Sequence, residues 1–372
     1  MEQPQEQVPE VPEQVAQEIN IKLNTKKLQE ILGFLVLGTE TSALKSEKSK
    51  CFFFKTVEKQ LYVYVASQNI QLSSSYGEIP EPLNICLDAL KIKHLVDKTT
   101  KEDITFSCKE GCWKIKGSGV YTLKNFSFDT PGDFFNQELK TELLGIHSTE
   151  FAKAMERSIF FVNEERQDPH LRNFYFDGNM VATDKKSIQV VKTSLTGKTE
   201  VKILIPQIFY DVCNKLNSEV KIYDQEGSYI ITSGNKRAWL PKIAGVDKFP
   251  DYEAFIQQPE AYENSLTVDR VEFLKALARA TYFTSKDQFF RVKLSVEKEK
   301  IRLIVDEDDK IEEEVPCNST GELEFALNGK YLKEAFEIFS EEKVLMKYND
   351  FKDVVYLKEE NSRLILVPVL MQ

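Results

Sequence analysis

The sequence predicts an α+β fold of three similar domains, each with two helices packed on antiparallel sheets. The first observation behind this prediction is an apolar spacing that occurs three times, about a third of the chain apart. In each copy the alternation of a strand end changes to the spacing of a helix, and such a repeat indicates a modular chain. The three sets, which have identical offsets, are Ile21, Leu23, Leu28, Ile31, Leu32 and Leu35; Leu144, Ile146, Phe151, Ala154, Met155 and Ser158; and Leu266, Val268, Phe273, Ala276, Leu277 and Ala280.

The second observation is a further strand–helix unit in each predicted domain. Pro206 is expected in the first turn of one helix and Asn328 at the N-cap of another, where these residue types are favoured. With the remaining short alternating runs, each domain is predicted to hold about eight strands, with its helices on one sheet face. The predicted strand and helix pairs are 83–87 with 90–96, 201–205 with 206–216, and 323–327 with 328–339.

Length and composition agree with a multidomain globular protein. The chain has 372 residues and 42% hydrophobic residues, and no apolar run approaches the ~18 residues that a membrane span needs. The acidic, Pro-containing start is unlike a signal peptide, so we expect a soluble cytoplasmic protein without membrane partners. The predicted boundaries are 1–18 for a disordered acidic Pro/Gln-rich tail and 19–142, 143–262 and 263–372 for the three domains.

Residues suited to metal binding or catalysis are sparse. Cys108 and Cys112 flank a hairpin-like turn, but a metal pair there lacks a second pair of ligands nearby. The acids of 306–309 are adjacent in a turn and point in different directions, as in a solvated loop. The chain has only three histidines, so candidates for a catalytic histidine are few. We therefore expect a protein that is not an enzyme and uses neither metal nor cofactor.

Basic residues recur on the predicted helices although the net charge is −10. Lys153 and Arg157 in the second domain match Lys275 and Arg279 in the third. Each is compatible with an ordinary solvated face. If the domains form an arc, however, the cations line one surface that contacts phosphates without reading sequence. The candidate DNA-facing residues are Lys26, Lys27, Lys91, Lys153, Arg157, Lys215, Lys275, Arg279 and Lys330.

Four short stretches, in order along the chain, carry a family resemblance. They are Val181-Ala-Thr-Asp184, the Lys248-Phe-Pro-Asp-Tyr252 of Gly245 to Tyr252, Phe325-Ala-Leu-Asn-Gly-Lys-Tyr-Leu332, and Leu364-Ile-Leu-Val-Pro-Val-Leu370. With them, residues 20–372 resemble the bacterial sliding clamp, the β subunit of DNA polymerase III. The resemblance implies a head-to-tail homodimer whose six clamp domains close a ring around duplex DNA. It also implies a processivity factor that tethers the replicative polymerase and the clamp loader through short linear motifs.

The resemblance also implies two sets of site residues. The partner-peptide pocket between domains two and three would comprise Leu171, Thr183, Lys185, Ile188, Pro250, Phe255, Val367, Pro368, Val369 and Leu370. The dimer interface would comprise Lys114, Lys116, Tyr282, Phe283, Glu312, Glu313 and Glu314. Two simpler interpretations remain open: Val367 and Val369 as core strand residues, and Lys114 and Lys116 as protection of an edge strand against aggregation.

The sequence departs from the family at the predicted pocket. Lys185-Lys-Ser187 stands where the family has Gly-His-Arg, and the end of the chain also differs from the family's Met-Pro-Met-Arg-Leu. These changes predict an altered partner motif and a divergent clamp, as in a phage or mobile element. The alternative function is a clamp-fold adaptor that does not encircle DNA.

Overall fold

The computed structural model describes residues 19–40, 46–109, 112–128, 137–163, 165–195, 201–286, 289–307 and 309–369. The predicted tail, 1–18, lies outside these residues. The chain divides into two compact units: one comprises residues 1–138 with Asn235–Trp239, and the other comprises 139–234 and 240–372. The predicted three-domain boundaries remain predictions. No helix among the described residues is both long and apolar enough to cross a membrane.

The first unit contains two antiparallel sheets and two helices that pack against each other. One sheet has the order β1-β6-β7-β8, and the other has the order β5-β2-β3-β4. The helices begin directly after β1 and β5, where Asn24 and Asp88 each accept a backbone N–H bond as N-caps. The elements are β1 (Ile19–Asn24), α1 (Thr25–Leu35), β2 (Cys51–Val57), β3 (Gln60–Ala66), β4 (Gln71–Glu78), β5 (Asn84–Asp88), α2 (Ala89–Asp97), β6 (Asp103–Lys109), β7 (Cys112–Lys116) and β8 (Val120–Leu123).

The elements of the second repeat lie in the second unit, except that the first residues of its last strand belong to the first unit. Residues Lys236–Trp239 of that strand pair with β4 in the first unit. The elements are β9 (Thr141–His147), α3 (Ser148–Glu156), α4 (Pro169–Arg172), β10 (Asn173–Phe176), β11 (Asn179–Thr183), β12 (Ser187–Lys192), β13 (Ile203–Pro206), α5 (Ile208–Cys213), β14 (Glu219–Gln225), β15 (Ser228–Ser233), β16 (Lys236–Pro241) and α6 (Tyr252–Glu260).

The third repeat completes the second unit. Its strands continue those of the second repeat in one sheet, ordered β13-β10-β11-β12-β24-β23-β22-β17-β20-β19-β18-β21. The elements are β17 (Asn264–Asp269), α7 (Arg270–Tyr282), β18 (Arg291–Val296), β19 (Lys300–Asp306), β20 (Lys310–Ser319), β21 (Leu323–Asn328), α8 (Gly329–Ile338), β22 (Lys343–Tyr348), β23 (Val355–Lys358) and β24 (Ser362–Leu366).

The threefold apolar spacing forms the core, as predicted. Every member of the three sets is buried, including the polar Ser158, whose hydroxyl donates to the Ala154 carbonyl at 3.0 Å. Because that bond satisfies the hydroxyl just beyond the end of α3, a serine replaces an apolar residue there without an orphaned polar atom. Each repeat has eight strands and a pair of contacting helices among the described residues: α1 with α2, α3 with α5, and α7 with α8. The predicted α+β fold class is confirmed.

Two local predictions differ from the structure. Pro206 is the last residue of β13, and the following helix runs only from Ile208 to Cys213. The prediction of a helix over 206–216 was therefore too long at both ends. The alternative interpretation of Lys114 and Lys116 as protection of an edge strand also differs from the structure, because β7 pairs with β6 on one side and β8 on the other. By contrast, Asn328 is the predicted N-cap, accepting from the amides of Lys330 and Tyr331 at 3.0 and 3.2 Å.

Candidate functional sites

A buried apolar cluster lies on one face of the large sheet where the second and third repeats meet. Strands β12 and β24 pair there, with Ser187 opposite Leu366 and Ile188 opposite Ile365. Helix α6 covers part of this face through the buried Tyr252 and Ile256. Ile188, Ile243, Val246 and Phe249 pack partly buried against the cluster. We call their surface, together with the exposed Val367, the partner groove.

The chain end after β24 is bonded to both repeats. The Val367 amide donates to the Lys186 carbonyl at 3.0 Å, and the Val369 amide donates to the Ala326 carbonyl at 2.8 Å. The Val367 side chain is nevertheless 46% exposed, unlike that of a core strand residue. The backbone is therefore fixed while this apolar side chain faces outward at the groove.

The other predicted pocket residues differ in exposure. Leu171 and Thr183 are buried, and Thr183 donates to the Ser187 carbonyl at 2.7 Å. These two buried residues are not accessible to a partner, whereas the exposed ones are available for contact. Half-buried are Ile188, Pro368 and Val369; exposed are Lys185, Pro250, Phe255 and Val367; Leu370 lies outside the described residues.

A tight turn between β11 and β12 forms the polar rim of the groove. Asp184 accepts bonds from the amides of Lys186 and Ser187 at 2.9 and 2.8 Å. Lys185 has a φ of 76°, the left-handed region where side chains are disfavoured, which explains why a glycine suits this position in the family. Its ammonium binds Asp168 at 2.6 Å, and this bond lowers the pKa of the Asp168 carboxyl.

Sequence reasoning missed several side chains that shape the groove. The ring of Phe249 stacks on Tyr175 with centroids 4.1 Å apart, and His170 meets Phe249 edge-on. Burial raises the pKa of Tyr175 to about 12. The Tyr331 hydroxyl donates to Asp184, and so joins α8 of the third repeat to the rim turn of the second. Phe249 and Tyr331 both lie in stretches that carry the resemblance, which was the available signal.

Arg157, a predicted DNA-facing residue, is bonded between the second and third repeats. Its Nη1 donates to Glu359 Oε1 at 2.9 Å and to Ser362 Oγ at 3.2 Å. Its Nη2 donates to Ser340 Oγ at 2.9 Å, and the Glu359 side chain is only 1% exposed. The Arg157 guanidinium therefore links the second repeat to the third.

Arg279, at the matching repeat position, makes a bidentate pair with Glu313 of its own repeat, at 2.6 and 2.7 Å. The bond to Arg279 lowers the pKa of Glu313. A residue predicted to face DNA, Arg279, and a residue predicted to lie at the dimer interface, Glu313, therefore bond to each other within one chain. Lys330 lies over the Phe290 ring at 3.5 Å. The remaining predicted DNA-facing side chains are exposed on or next to the repeat helices: Lys26, Lys27, Lys91, Lys153, Lys215 and Lys275.

The predicted interface acids also have partners within their own chain. Lys300 binds Glu314 at 2.8 Å, and Arg302 binds Glu312 at 3.2 Å. Lys114 and Lys116 are exposed on β7, in the other unit. The predicted apolar pair at the end of α7 is exposed, with Tyr282 at 86% and Phe283 at 38%.

The fourth strand of one repeat pairs with the eighth strand of the next at two places. In the first unit, β4 pairs with β16 through Gln71–Ser74 and Lys236–Trp239. In the second unit, β12 pairs with β24 from Ser187 opposite Leu366 to Val191 opposite Ser362. In both junctions the fourth strand uses the residues that directly follow its hairpin turn.

The remaining fourth strand is β20 and the remaining eighth strand is β8, and among the described residues these two strands do not pair with each other. In the described residues, β8 pairs only with β7, and the segment 310–314 of β20 pairs only with β19. We call these two segments the open edges. Val120 and Tyr121 of β8 are 65% and 42% exposed. Exposed edges with apolar side chains are surfaces on which another strand can pair.

Comparisons with known proteins agree with this architecture. Residues 258–371 match the family described as DNA polymerase III beta subunit, C-terminal domain. No match is found among curated protein sequences. The DNA polymerase III subunit beta of Pseudomonas aeruginosa is 17% identical, with a TM-score of 0.84 over 95% of this chain and 100% of that chain. The sliding clamp of Bartonella birtlesii bound to griselimycin is 18% identical, with a TM-score of 0.82 over 95% and 100% of the chains.

A third similar structure is the DNA polymerase III beta subunit of Thermotoga maritima, 16% identical, with a TM-score of 0.81 over 96% of this chain and 100% of that chain. The predicted resemblance is confirmed: the chain has the fold of the bacterial sliding clamps, and its C-terminal third matches their C-terminal domain.

Proposed function

We propose that two copies of this chain close head-to-tail into a six-domain ring that encircles duplex DNA and serves as a polymerase processivity factor. The observation that carries the proposal is the repeated junction. Fourth and eighth strands of successive repeats pair twice, and the third pair of strands, β20 and β8, remains as the open edges. A heterologous interface that closes after two copies gives a ring without open ends.

Closure is proposed to join β8 of one copy to residues 310–314 of β20 in the other. Tyr282 and Phe283 would add apolar contact beside the paired strands. Because Glu312, Glu313 and Glu314 are already bonded within their chain, Lys114 and Lys116 would compete for them. Backbone pairing and apolar burial therefore supply most of the closure in this proposal, and salt should weaken it only slightly.

The helix cations are proposed to face the enclosed duplex. A ring retains DNA by topology, so a few exposed lysines are enough to accommodate phosphates, and weak contacts permit sliding. Such contacts carry no sequence information. This arrangement accommodates the net charge of −10, because only the inner surface needs to be basic.

The partner groove is proposed to bind short motifs of the replicative polymerase and the clamp loader, in the cytoplasm. It offers what peptide-binding surfaces need: a rigid apolar wall at Val367, a half-buried floor at Ile188 and a bonded polar rim at Asp184. Affinity in such sites comes from one or two anchoring side chains. The Bartonella clamp binds griselimycin, so a clamp of this fold can hold a ligand.

The deciding experiment is retention on DNA by topology. Linear duplex is fixed to a bead at one end, the protein is allowed to thread over the other end, and that end is then blocked. A ring should survive a high-salt wash, which removes phosphate contacts, and should leave when a restriction enzyme cuts the duplex. Loss in the salt wash, together with a monomeric mass at micromolar concentration, would favour the adaptor that does not encircle DNA.

A further inference from the structure

A second cleft lies on the same sheet face as the partner groove, beyond α6, with a cavity volume of about 410 Å³. Val190 and Lys192 of β12, Arg363 of β24 and Gln257 and Glu260 of α6 line it. Ile188, Val190 and Lys192 alternate along one face of β12, so Val190 lies roughly 7 Å and Lys192 roughly 13 Å along this strand from Ile188 of the groove. The cleft therefore adjoins the partner groove on the same two strands, and Val190, Tyr252 and Ile256 separate the two.

Two cations in this cleft are poorly satisfied within the chain. Among the described residues, the buried Nε of Arg363 has no hydrogen-bond partner. Its Nη1 comes only within 3.9 Å of Glu260, which is engaged by Lys358 at 2.9 Å. A buried guanidinium N–H without an acceptor costs free energy that an anionic ligand would recover.

Lys192 and Arg363 are placed to share one anion. Val190 lies directly opposite Arg363 in the β12–β24 register, and Lys192 is two residues further on the same face. Diagonal neighbours of this kind lie roughly 7–8 Å apart in an antiparallel sheet, a gap that one carboxylate can bridge. The Lys192 ammonium has no ion-pair partner among the described residues, and its side chain is half-buried.

We propose that this cleft binds an acidic side chain of a peptide, with its carboxylate between Arg363 and Lys192. Glu253 and Glu260 also line the cleft and disfavour a multiply charged phosphate ligand. Gln257 adds an amide group of the kind that binds peptide N–H and C=O. The volume exceeds that of a carboxylate alone and suits a segment of a few residues. The cleft does not require the partner groove to be occupied.

The test is saturation-transfer NMR on the full chain, with acetyl-Gly-Glu-Gly-amide as the probe. Its Gln analogue and inorganic phosphate are the competing probes. We expect saturable binding of the Glu peptide, binding of the Gln analogue weakened by roughly tenfold or more, and no competition by phosphate. Equal binding of both peptides, no saturable binding, or displacement by phosphate alone would overturn the proposal.

Variants locate the binding. K192Q and R363Q should each weaken binding of the Glu peptide by about tenfold, whereas K221Q, which removes a β14 cation that does not line the cleft, should not. R363K keeps the charge and should bind the Glu peptide more tightly than R363Q, whereas K192Q supplies the test if R363Q folds poorly. Unchanged affinity in K192Q, or in a folded R363Q, would show that the peptide binds elsewhere. Ring formation and DNA retention are separate measurements, so failure here leaves the proposed function intact.

Discussion

Arg157 and Glu359 form a nearly buried ion pair that joins the first helix of the second repeat to the last hairpin of the third, at 2.9 Å. Glu359 Oε2 also accepts from the Ser340 and Glu341 amides, at 2.7 and 3.2 Å. The carboxylate is therefore satisfied on both oxygens, which is what allows a buried charge at this position. This geometry makes the contact between the two repeats specific.

Removing Arg157 should destabilise the second unit. Arg157→Ala leaves the Glu359 carboxylate buried without its cation, and loss of one partner of a buried pair costs about 3–5 kcal/mol of unfolding free energy. Urea unfolding followed by far-UV circular dichroism measures the change, because both tryptophans, Trp113 and Trp239, lie in the first unit. Lys153→Ala is the matched control, because this lysine is exposed on the same helix and should change stability by less than about 0.5 kcal/mol. Equal stability of the two variants would contradict the role assigned to Arg157.

Acidification should break the Arg279–Glu313 pair. The hydrogen bond from Arg279 lowers the pKa of Glu313 below its ordinary value of 4.5. A carboxylate with a depressed folded-state pKa contributes stability above its unfolded pKa, and that contribution is lost as pH falls through the folded pKa. The wild type should therefore lose more stability below pH 4.5 than Glu313→Gln, as measured by thermal unfolding across pH. Parallel curves for the two proteins would show that the pair contributes nothing.

The sequence predicted the repeat core and the helix positions well, because burial of an apolar stripe is a local pattern. Ser158 fitted that pattern despite its hydroxyl. What the pattern could not predict was the tertiary partner of each charged side chain. Arg157 and Lys153 look alike in the sequence, yet only Arg157 meets a carboxylate, supplied 202 residues later in the chain. The bonding partner of a basic side chain depends on which acidic residue the fold places near it, and local sequence spacing does not predict that contact.

DNA binding should depend on the exposed lysines rather than on the two arginines. Reversing Lys153, Lys215 and Lys275 to Glu should weaken equilibrium binding to DNA and reduce the slope of log affinity against log salt, by about 0.9 for each phosphate that is no longer neutralised. Binding to a linear duplex with open ends, measured at several salt concentrations, reports both effects. Lys298→Glu, an exposed lysine in a strand turn, is the control. If the triple variant behaves like this control, the helix lysines do not face DNA.

Ring closure should respond to Tyr282 and little to salt. Tyr282→Glu places a charge in the proposed apolar contact beside the open edges, and we expect the dimer to weaken by roughly tenfold or more. Sedimentation equilibrium at low and high salt measures the dissociation constant. Val271→Glu is the matched control, because this valine is also exposed on α7 but lies about three turns away. Dissociation driven mainly by salt would instead favour pairing of Lys114 and Lys116 with the Glu312–Glu314 acids.

The partner groove should fail when Val367 becomes charged while the ring survives. Val367 is exposed and only its backbone is bonded, so Val367→Asp should alter the surface without unfolding the strand. We expect stimulation of the cognate polymerase to be lost and the dimer mass to be unchanged. Phe351→Asp, another exposed apolar residue in the same repeat, controls for added charge. Removing 367–372 should abolish polymerase stimulation in the same way. The Val369 amide also bonds the Ala326 carbonyl of the third repeat. If the truncation dissociates the dimer, the chain end therefore has a structural role.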